Sequence, residues 1–323
     1  MSQKILITGS AGMVGKNLSD ALVNFKDFKV FPTYYDITIP KEDFKSIHKI
    51  INKYKFLNIL NAEALEDLLV NIKPDIIIHL AAQSRPDISL SRPLDTIKTN
   101  LLGTINIVNS NWVRNNRPWI INFSSSAVYG DIEWEEPVTE QSPTRPITTY
   151  GVSKLSAERY LHANHEGIST SLRLFNCSGP YKTKDLISDI CKRLIFEDEN
   201  NLKIGCLNTK RHFLHVSDVV EVIKRLLSIK KEERNKFNRE FNLAPSHKNL
   251  NNVIEVIQEF ENLIGHKVNI KKDKSLFRKK DESIIWGNSE LLSNNLKWKS
   301  IKSIKDIIKD SYFYMQNLHK QNE

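Results

Sequence analysis

Cysteine is scarce in this sequence, and the few cysteines are widely separated. The 323 residues include 3 cysteines, Cys177, Cys191 and Cys206, without the spacing of a metal site. We therefore expect reduced thiols, no metal centre and a cytoplasmic protein. No apolar run approaches the length that crosses a membrane, and the first predicted strand begins at Lys4, so we expect neither a membrane span nor a signal peptide.

Concentrated positive charge is also missing, although the chain is basic overall. Its 47 lysines and arginines exceed its 38 acidic residues, which gives a formal charge of +9. The lysines are scattered, and no basic block interleaved with aromatic residues marks a nucleic-acid surface. The net charge alone suits a nucleic acid and an anionic small molecule equally well. Because the positive charge is scattered, we expect no nucleic-acid partner.

Short apolar runs alternate with amphipathic stretches along the first half of the chain. This alternation predicts an α/β fold with a doubly wound parallel sheet, the Rossmann arrangement. A chain of this length also has room for a smaller C-terminal lobe. The predicted strands cover 5–7, 30–34, 56–60, 74–83 and 119–123, and the predicted helices include 62–72, 95–114 and 152–162.

A glycine-rich turn joins the first predicted strand to a helix, with the spacing Gly-x-x-Gly-x-x-Gly over residues 9–15. Glycines let backbone amides approach a pyrophosphate, and a helix N-terminus favours its negative charge. The turn therefore favours a dinucleotide site, although a tight turn without a ligand has the same spacing. The candidate cofactor residues here are Gly9, Ala11, Gly12, Met13 and Val14.

The other half of a dinucleotide site is predicted less sharply. An acidic residue after the second strand binds the adenosine ribose in such folds, and Asp36 is the candidate. It is equally a loop carboxylate, and no arginine marks a pocket for a 2′-phosphate, so NAD and NADP both stay open. Asn58 and Ile59 are placed to meet the adenine. Leu80, Ala81 and Ala82 follow a buried strand where small residues let a cofactor lie close to the backbone.

Tyr150 and Lys154 are four residues apart at the start of a predicted helix, so they lie on one face. A lysine ammonium beside a phenol favours the phenolate and lowers the tyrosine pKa. A tyrosine tuned in this way exchanges protons near neutral pH. Ser125, at the end of a buried strand, is able to hydrogen-bond the same substrate oxygen. Alone, the Tyr-x-x-x-Lys pattern also suits a solvated helix start.

Taken together, the motifs run in order over almost the whole chain. They are Thr8-Gly9-x-x-Gly12-x-x-Gly15, His79-Leu80-Ala81-Ala82, Asn100, 124–130, Tyr150-x-x-x-Lys154, 173–180 and 211–218. With them the chain resembles an extended short-chain dehydrogenase/reductase of the NAD-dependent epimerase/dehydratase family, which acts on nucleotide sugars.

The resemblance implies a role for each matching residue. Tyr150 is the implied acid/base at the sugar, Lys154 binds the nicotinamide ribose, and Ser125 binds the reacting oxygen. Asn100 and Ser124 complete the implied NAD or NADP site together with Tyr150 and Lys154. The implied partner is a nucleotide-diphosphate sugar, whose diphosphate suits bidentate guanidinium groups. Its implied ligands are Gln83, Ser125, Ser126, Asn176, Arg211 and Arg278, although both arginines also suit surface salt bridges.

Residues that differ from the family's patterns reduce the number of candidate reactions. The 4,6-dehydratases carry an Asp-Glu pair where this chain has Ser126 and Ala127, so dehydration is disfavoured. Epimerase-reductases that act at C3 and C5 carry cysteine and histidine where Ala127 and Tyr181 stand. Two reactions remain: 4-epimerisation of the hexose, which we favour, and reduction of a 4-keto nucleotide sugar. A regulatory binding protein is a third class, but such relatives would have lost Tyr150 or Lys154.

The expected organisation has a dinucleotide-binding domain and a substrate-binding lobe. The first covers 1–176 and about 211–245, and the second covers 177–210 and about 246–323. The resemblance also implies a homodimer, in which the predicted helices 95–114 and 150–162 of two copies form a four-helix bundle. Neither the nucleotide nor the sugar is specified by these motifs.

Overall fold

The computed structural model divides the chain into two compact units. The first comprises Met1–Gly130, Thr144–Arg173 and Ser228–Phe241, and the second comprises Asp131–Pro143, Leu174–Leu227 and Asn242–Glu323. The residues that the structure describes are 2–23, 25–35, 54–130, 136–196, 201–205, 207, 209–246, 250–273 and 284–322.

The described strands are mostly short, and the longest of them belong to the first unit. They are β1 Gln3–Thr8, β2 Phe28–Tyr34, β3 Lys55–Phe56, β4 Ile76–His79, β5 Trp119–Ser125, β6 Ser169–Leu174, β7 Cys177–Ser178, β8 Asn201–Ile204, β9 Lys210–Arg211, β10 Leu214–His215, β11 Glu240–Leu243, β12 Asn251–Asn252, β13 Asn269–Lys272 and β14 Ile284–Ile285.

One seven-stranded sheet, in the order β11-β6-β5-β4-β1-β2-β3, organises the first unit. Strands β1 and β2, β1 and β4, β4 and β5, and β2 and β3 pair in parallel. Every residue of β4 and β5 is buried, which explains their nearly continuous apolar sequences. The predicted doubly wound sheet with Rossmann strand order is confirmed.

The helices have the following bounds in the structure. They are α1 Met13–Leu22, α2 Ala62–Ile72, α3 Pro86–Ser91, α4 Pro93–Ile97, α5 Gly103–Asn109, α6 Asn111–Asn116, α7 Thr149–Asn164, α8 Leu186–Phe196, α9 Val216–Leu227, α10 Val253–Ile264, α11 Glu290–Leu296 and α12 Ile304–Asn322, with a π-helical turn at Lys98–Leu102 and 3-10 turns at Ser126–Val128 and Lys231–Phe237.

Two predicted elements of the first unit differ in the structure. The strand predicted over 56–60 pairs only through Lys55–Phe56, because the Asn58 side chain turns the chain by accepting a hydrogen bond from the amide of Leu60. The single helix predicted over 95–114 is divided. A π-helical turn interrupts it, and Ser110 leaves helical geometry and caps α6 through the amide of Val113.

The second unit has its own apolar core, built from α8, α10, α12 and the strands beside them. Ile187, Leu202, Val256, Phe260 and Ile307 are buried there with at most 1% exposure. The predicted domain boundaries placed 211–227 with the first unit. In the structure β10 pairs with β7, and these residues group with the second unit.

The described part of the chain contains neither a membrane-spanning helix nor a metal-binding cluster. There, no helix has the length and apolar character needed to cross a bilayer. Within the same residues, no group of three or more histidine, cysteine or acidic side chains is placed to hold a metal ion. Cys177 and Cys191 are buried free thiols, and burial raises the pKa of Cys177 to about 12.

Candidate active site

The glycine-rich turn between β1 and α1 is closely packed at two of its glycines. Gly9 has a positive φ of 72°, and a Cβ atom there would lie 2.6 Å from the amide nitrogen of Ala81. A Cβ atom on Gly15 would lie 2.5 Å from the carbonyl oxygen of Gly9. Any other residue at these positions would force the backbone apart, so both glycines are needed for the fold of the turn.

Gly12 differs, because the space beside it is open. A Cβ atom there would meet only the Gly9 carbonyl oxygen, at an ordinary 3.5 Å. Gly12 is the N-cap of α1, no side chain caps the helix, and the first turn carries no acidic residue. An anion is therefore well placed at this helix end. The turn fits the pyrophosphate of a dinucleotide, which Ala11, Gly12, Met13 and Val14 would hold.

Strand β4 ends in a hydrogen-bonded relay that the sequence did not predict. The amide of Ala81 donates to Thr8 Oγ1 over 3.2 Å, and Thr8 Oγ1 lies 2.8 Å from His79 Nδ1. On its other side, His79 Nε2 lies 3.1 Å from Thr104 Oγ1, which donates to the carbonyl oxygen of Asn100. Because Thr104 uses its proton for Asn100, it accepts from Nε2, and His79 carries its proton there.

The His79 ring is buried and neutral. Burial, aided by the positive charge of Lys154, lowers its pKa from 6.5 to about 3. Its motif was recognised in the sequence, but its partners were not, since they lie on β1 and α5. The neutral ring ties together the ends of two strands and the helix that follows the π-helical turn.

Asn100 lies in the middle of that π-helical turn, a feature frequently found at functional sites. Its Oδ1 accepts from the amide of Gln83 over 2.7 Å, and its Nδ2 lies 3.0 Å from the Gln83 carbonyl and 2.8 Å from Ser153 Oγ. Ser153 in turn donates to the carbonyl oxygen of Tyr150. Asn100 therefore connects the loop after β4 with the start of α7.

Helix α7 presents the predicted catalytic pair and begins three residues earlier than predicted. Thr148 caps it by accepting from the amide of Gly151 over 3.0 Å. The amide of Tyr150 donates to Ser89 Oγ on α3, also over 3.0 Å. No sequence signal pointed to Ser89, because its partner lies 61 residues away. These two bonds satisfy amides that a helix N-terminus leaves without partners.

The structure brings Ser125 and Tyr150 together. Ser125 ends β5, is 8% exposed, and accepts from the amide of Ala127 over 3.2 Å. Its side chain is close enough to the phenol of Tyr150 to lower the pKa of that phenol. Lys154 lies one helical turn beyond Tyr150 and is 7% exposed. The Ser-Tyr-Lys group thus assembles from one strand end and one helix face.

The pKa of Tyr150 departs from expectation. We predicted that Lys154 would lower it, but burial raises it above 10, and only the hydrogen bond from Ser125 opposes this. Removing water from a phenolate is unfavourable, so desolvation prevails. Burial also lowers the pKa of Lys154 to about 8, while the carboxylate of Glu158 acts in the opposite direction. Lys154 is therefore still mainly protonated at neutral pH.

Two buried polar atoms beside these residues lack a protein partner. They are Ser124 Oγ and Gln83 Oε1, both predicted ligand-binding positions. An unsatisfied buried polar atom is unfavourable by about 1–3 kcal/mol. Each of them is available to a bound cofactor or substrate, which agrees with a dinucleotide site in this unit.

Other predicted ligand residues are less informative. The Ile59 side chain packs into the core of the first unit, and its carbonyl accepts from Asn106. In the second unit, Asn176 Nδ2 is buried without a partner, and the half-buried Arg211 donates to the carbonyl of Lys210. Asp36 and Arg278 lie outside the described residues. Leu80 and Ala82 are partly exposed after β4, and Ser126 is partly exposed in its 3-10 turn.

Comparison with known proteins places this fold and site in a family. Residues 6–311 match the family described as GDP-mannose 4,6-dehydratase. The chain is 26% identical over 320 residues to GDP-6-deoxy-D-mannose reductase of Pseudomonas aeruginosa. The aligned region covers 96% of each chain.

Solved structures agree on the fold. UDP-glucuronic acid 4-epimerase from Bacillus cereus, in complex with UDP-glucuronic acid and NAD, superposes with a TM-score of 0.83 at 24% identity, covering 98% of this chain and 100% of that one. RMD from Pseudomonas aeruginosa, complexed with NADPH, has a TM-score of 0.80 at 24% identity, covering 98% and 99%.

The chain therefore belongs to the GDP-mannose 4,6-dehydratase family of extended short-chain dehydrogenases/reductases, enzymes that modify nucleotide sugars. The resemblance drawn from the sequence motifs is confirmed, and so is the enzyme class. Members of this family catalyse several different reactions. Which of them this chain catalyses depends on the side chains of its site.

Proposed function

We propose that this protein is an NAD(P)-dependent 4-epimerase of a nucleotide-diphosphate hexose. The observation that carries the proposal is that the Ser125 side chain acts on the phenol of Tyr150, with Lys154 one turn along the same helix face. This arrangement moves a proton at one sugar hydroxyl, which is all that the protein must do in a 4-epimerisation.

The protein's part in the reaction follows from these three residues. In its phenolate form, Tyr150 accepts the proton of the C4 hydroxyl as the alcohol becomes a ketone, and the resulting phenol returns the proton when the ketone is reduced on its other face. Ser125 holds the reacting oxygen by a hydrogen bond. Ser125 also favours the phenolate form of Tyr150, and Lys154 would bind the ribose. A bound nicotinamide supplies the acceptor and the donor of the hydride.

Dehydration fits this site poorly, although the family takes its description from a dehydratase. Loss of the C6 hydroxyl requires an acid and a base beside the serine turn. The turn Ser126–Val128 is a 3-10 turn with no carboxylate in it. The buried carboxylate of Glu158, the nearest acidic residue along α7, is bound by a guanidinium, so it is not a proton donor.

Net reduction of a 4-keto nucleotide sugar is a second candidate. It is favoured by the similarity to a GDP-6-deoxy-D-mannose reductase over 96% of both chains. The same Ser125, Tyr150 and Lys154 would then protonate the C4 oxygen once. For either reaction, we propose that Asn176, Arg211 and Arg278 bind the substrate diphosphate, since amide and guanidinium groups suit phosphate oxygens.

The distinction is testable on the purified protein. The protein is denatured and the released nucleotide identified, and the native protein is incubated with UDP-glucose, UDP-glucuronic acid and GDP-mannose while the product is analysed by NMR. An epimerase releases NAD and forms the C4 epimer without added cofactor. A protein that releases no nucleotide and oxidises added NADPH while it reduces a 4-keto substrate supports the reductase. Formation of a 4-keto-6-deoxy product would contradict both.

A further inference from the structure

A completely buried ion pair joins α7 to strand β6. Glu158 and Arg173 both have side chains that are 0% exposed. Arg173 Nη2 donates to Glu158 Oε1 over 2.6 Å, and Arg173 Nε donates to Oε2 over 3.1 Å. The contact is therefore a two-pronged guanidinium–carboxylate pair, the most geometrically specific kind of ion pair.

The same guanidinium also contacts the turn that carries Ser125. Arg173 Nη1 donates to the hydroxyl of Tyr129 over 3.0 Å, and its central carbon lies 5.1 Å from the centre of the Tyr129 ring. Tyr129 is 2% exposed and directly follows the 3-10 turn after Ser125. Arg173 thus holds both pieces of the Ser-Tyr-Lys group, the serine turn and the helix with Tyr150.

Glu158 lies four residues after Lys154 on α7, so the two share a helix face. Its negative charge keeps Lys154 more strongly protonated than burial alone would allow. Several other charged or titratable groups act within this cluster. They are Arg173 on β6, Glu240 on β11 at 3.5 Å from Arg173, His162 on α7, and the neutral His79 on β4.

Stability alone does not explain a pair of this kind. Desolvating two charges consumes most of their attraction, and apolar replacements of buried ion pairs are often neutral or stabilising. The pair instead fixes geometry and charge at a defined place. Its two ends lie on the elements that carry the reacting groups.

We propose that Glu158 and Arg173 are a positioning pair for the reaction, which sets the distance between the Ser125 turn and the Tyr150 helix and keeps Lys154 cationic. The inference rests on the proposed function, since it assigns these residues to the same active site. Both side chains are 0% exposed, so neither residue would touch the reacting sugar.

The geometric half of the inference is tested by Tyr129→Phe. This change removes one hydrogen bond of Arg173 and leaves the ring in place. We expect kcat for C4 epimerisation to fall about tenfold with KM nearly unchanged, because only the alignment of the reacting groups is altered. Tyr160→Phe is the matched control. Tyr160 lies near the C-terminal end of α7, away from Tyr150, and its hydroxyl donates to Asn109 on α5. Equal kcat values for both variants would overturn the geometric role.

The charge half is tested without turnover. Protein labelled with ¹³C-lysine is titrated by NMR, and the Lys154 signal is identified by its loss in Lys154→Arg. We expect a midpoint near pH 8 in the native protein and a midpoint about one pH unit lower in Glu158→Gln. Glu158→Asp should restore much of the difference. The alkaline limb of kcat should move in the same direction.

Coinciding titrations of native protein and Glu158→Gln would overturn the charge role. If Glu158→Gln does not fold, the double variant Glu158→Gln/Arg173→Met removes both charges, and the same titration is made on it. Absence of turnover with every nucleotide sugar would contradict the proposed function alone. The lysine titration would still decide the inference.

Discussion

Asn100 and Ser153 are 53 residues apart in the chain, yet Asn100 Nδ2 lies 2.8 Å from Ser153 Oγ inside the first unit. Ser153 passes the connection to the backbone of Tyr150, and Asn100 Oδ1 binds the backbone of Gln83. One amide side chain therefore fixes the catalytic helix relative to the loop after β4. Asn100 itself lies in the π-helical turn Lys98–Leu102.

Asn100→Ala should separate these two elements. We expect the free energy of unfolding to fall by about 1–3 kcal/mol, because buried partners lose their hydrogen bonds. We expect kcat to fall by at least about tenfold, since Tyr150 is less well placed. Urea unfolding and steady-state kinetics measure the two effects. Asn106→Ala, which removes one bond to Ile59, is the control, and equal activity losses in both variants would contradict the role of Asn100.

The glycine turn predicts different results for two alanine substitutions. Gly12→Ala places its methyl group in open space, so the free energy of unfolding should change by no more than about 1 kcal/mol. The affinity of the variant for NADH and NADPH should nevertheless fall by at least about tenfold, because the methyl group would enter the open space beside the helix N-terminus, where we propose that the pyrophosphate binds. Fluorescence titration measures the affinity.

Gly15→Ala should instead lose stability, since its Cβ would lie 2.5 Å from the Gly9 carbonyl. Unchanged cofactor affinity in Gly12→Ala would count against the site.

The buried His79 makes stability depend on pH. Its pKa is about 3 in the fold and 6.5 in the unfolded chain, so between these values the unfolded state binds the extra proton. The contribution is therefore complete above pH 6.5 and is lost as the pH falls toward 3, by up to roughly 1.4 kcal/mol per pH unit. His79→Gln should flatten this part of the curve, measured by urea unfolding at pH 4.5 to 8. An unchanged slope in His79→Gln would refute the assignment.

Exposed apolar residues support the expected homodimer. Leu94 is 62% exposed, and Leu102 and Val152 are each 42% exposed, on segments that pack against each other. We predict a dimer by light scattering and a monomer after the paired change Leu102→Glu/Val152→Glu, because the charges would be buried in the interface. Ile301→Glu, at a residue 83% exposed elsewhere, should remain dimeric. A native monomer would rule out this interface.

What the sequence predicted well is what depends on neighbouring residues. The turn at Gly9 to Gly15 and the Tyr150–Lys154 pair are local patterns, and the structure places them as expected. The relay through Thr8, His79 and Thr104 was not predictable, because its members are far apart in the chain. The pKa of Tyr150 was predicted in the wrong direction for the same reason, since burial is a property of the whole fold.

In the proposed reaction, Tyr150 moves the proton at C4 of a nucleotide sugar. The most direct test compares the native protein with Tyr150→Phe, following C4 epimerisation by NMR and cofactor binding by fluorescence. We predict that Tyr150→Phe binds NADH and substrate almost normally but loses turnover by about 100-fold or more, because the acid/base is absent. Turnover at the native rate in Tyr150→Phe would contradict an acid/base role for Tyr150.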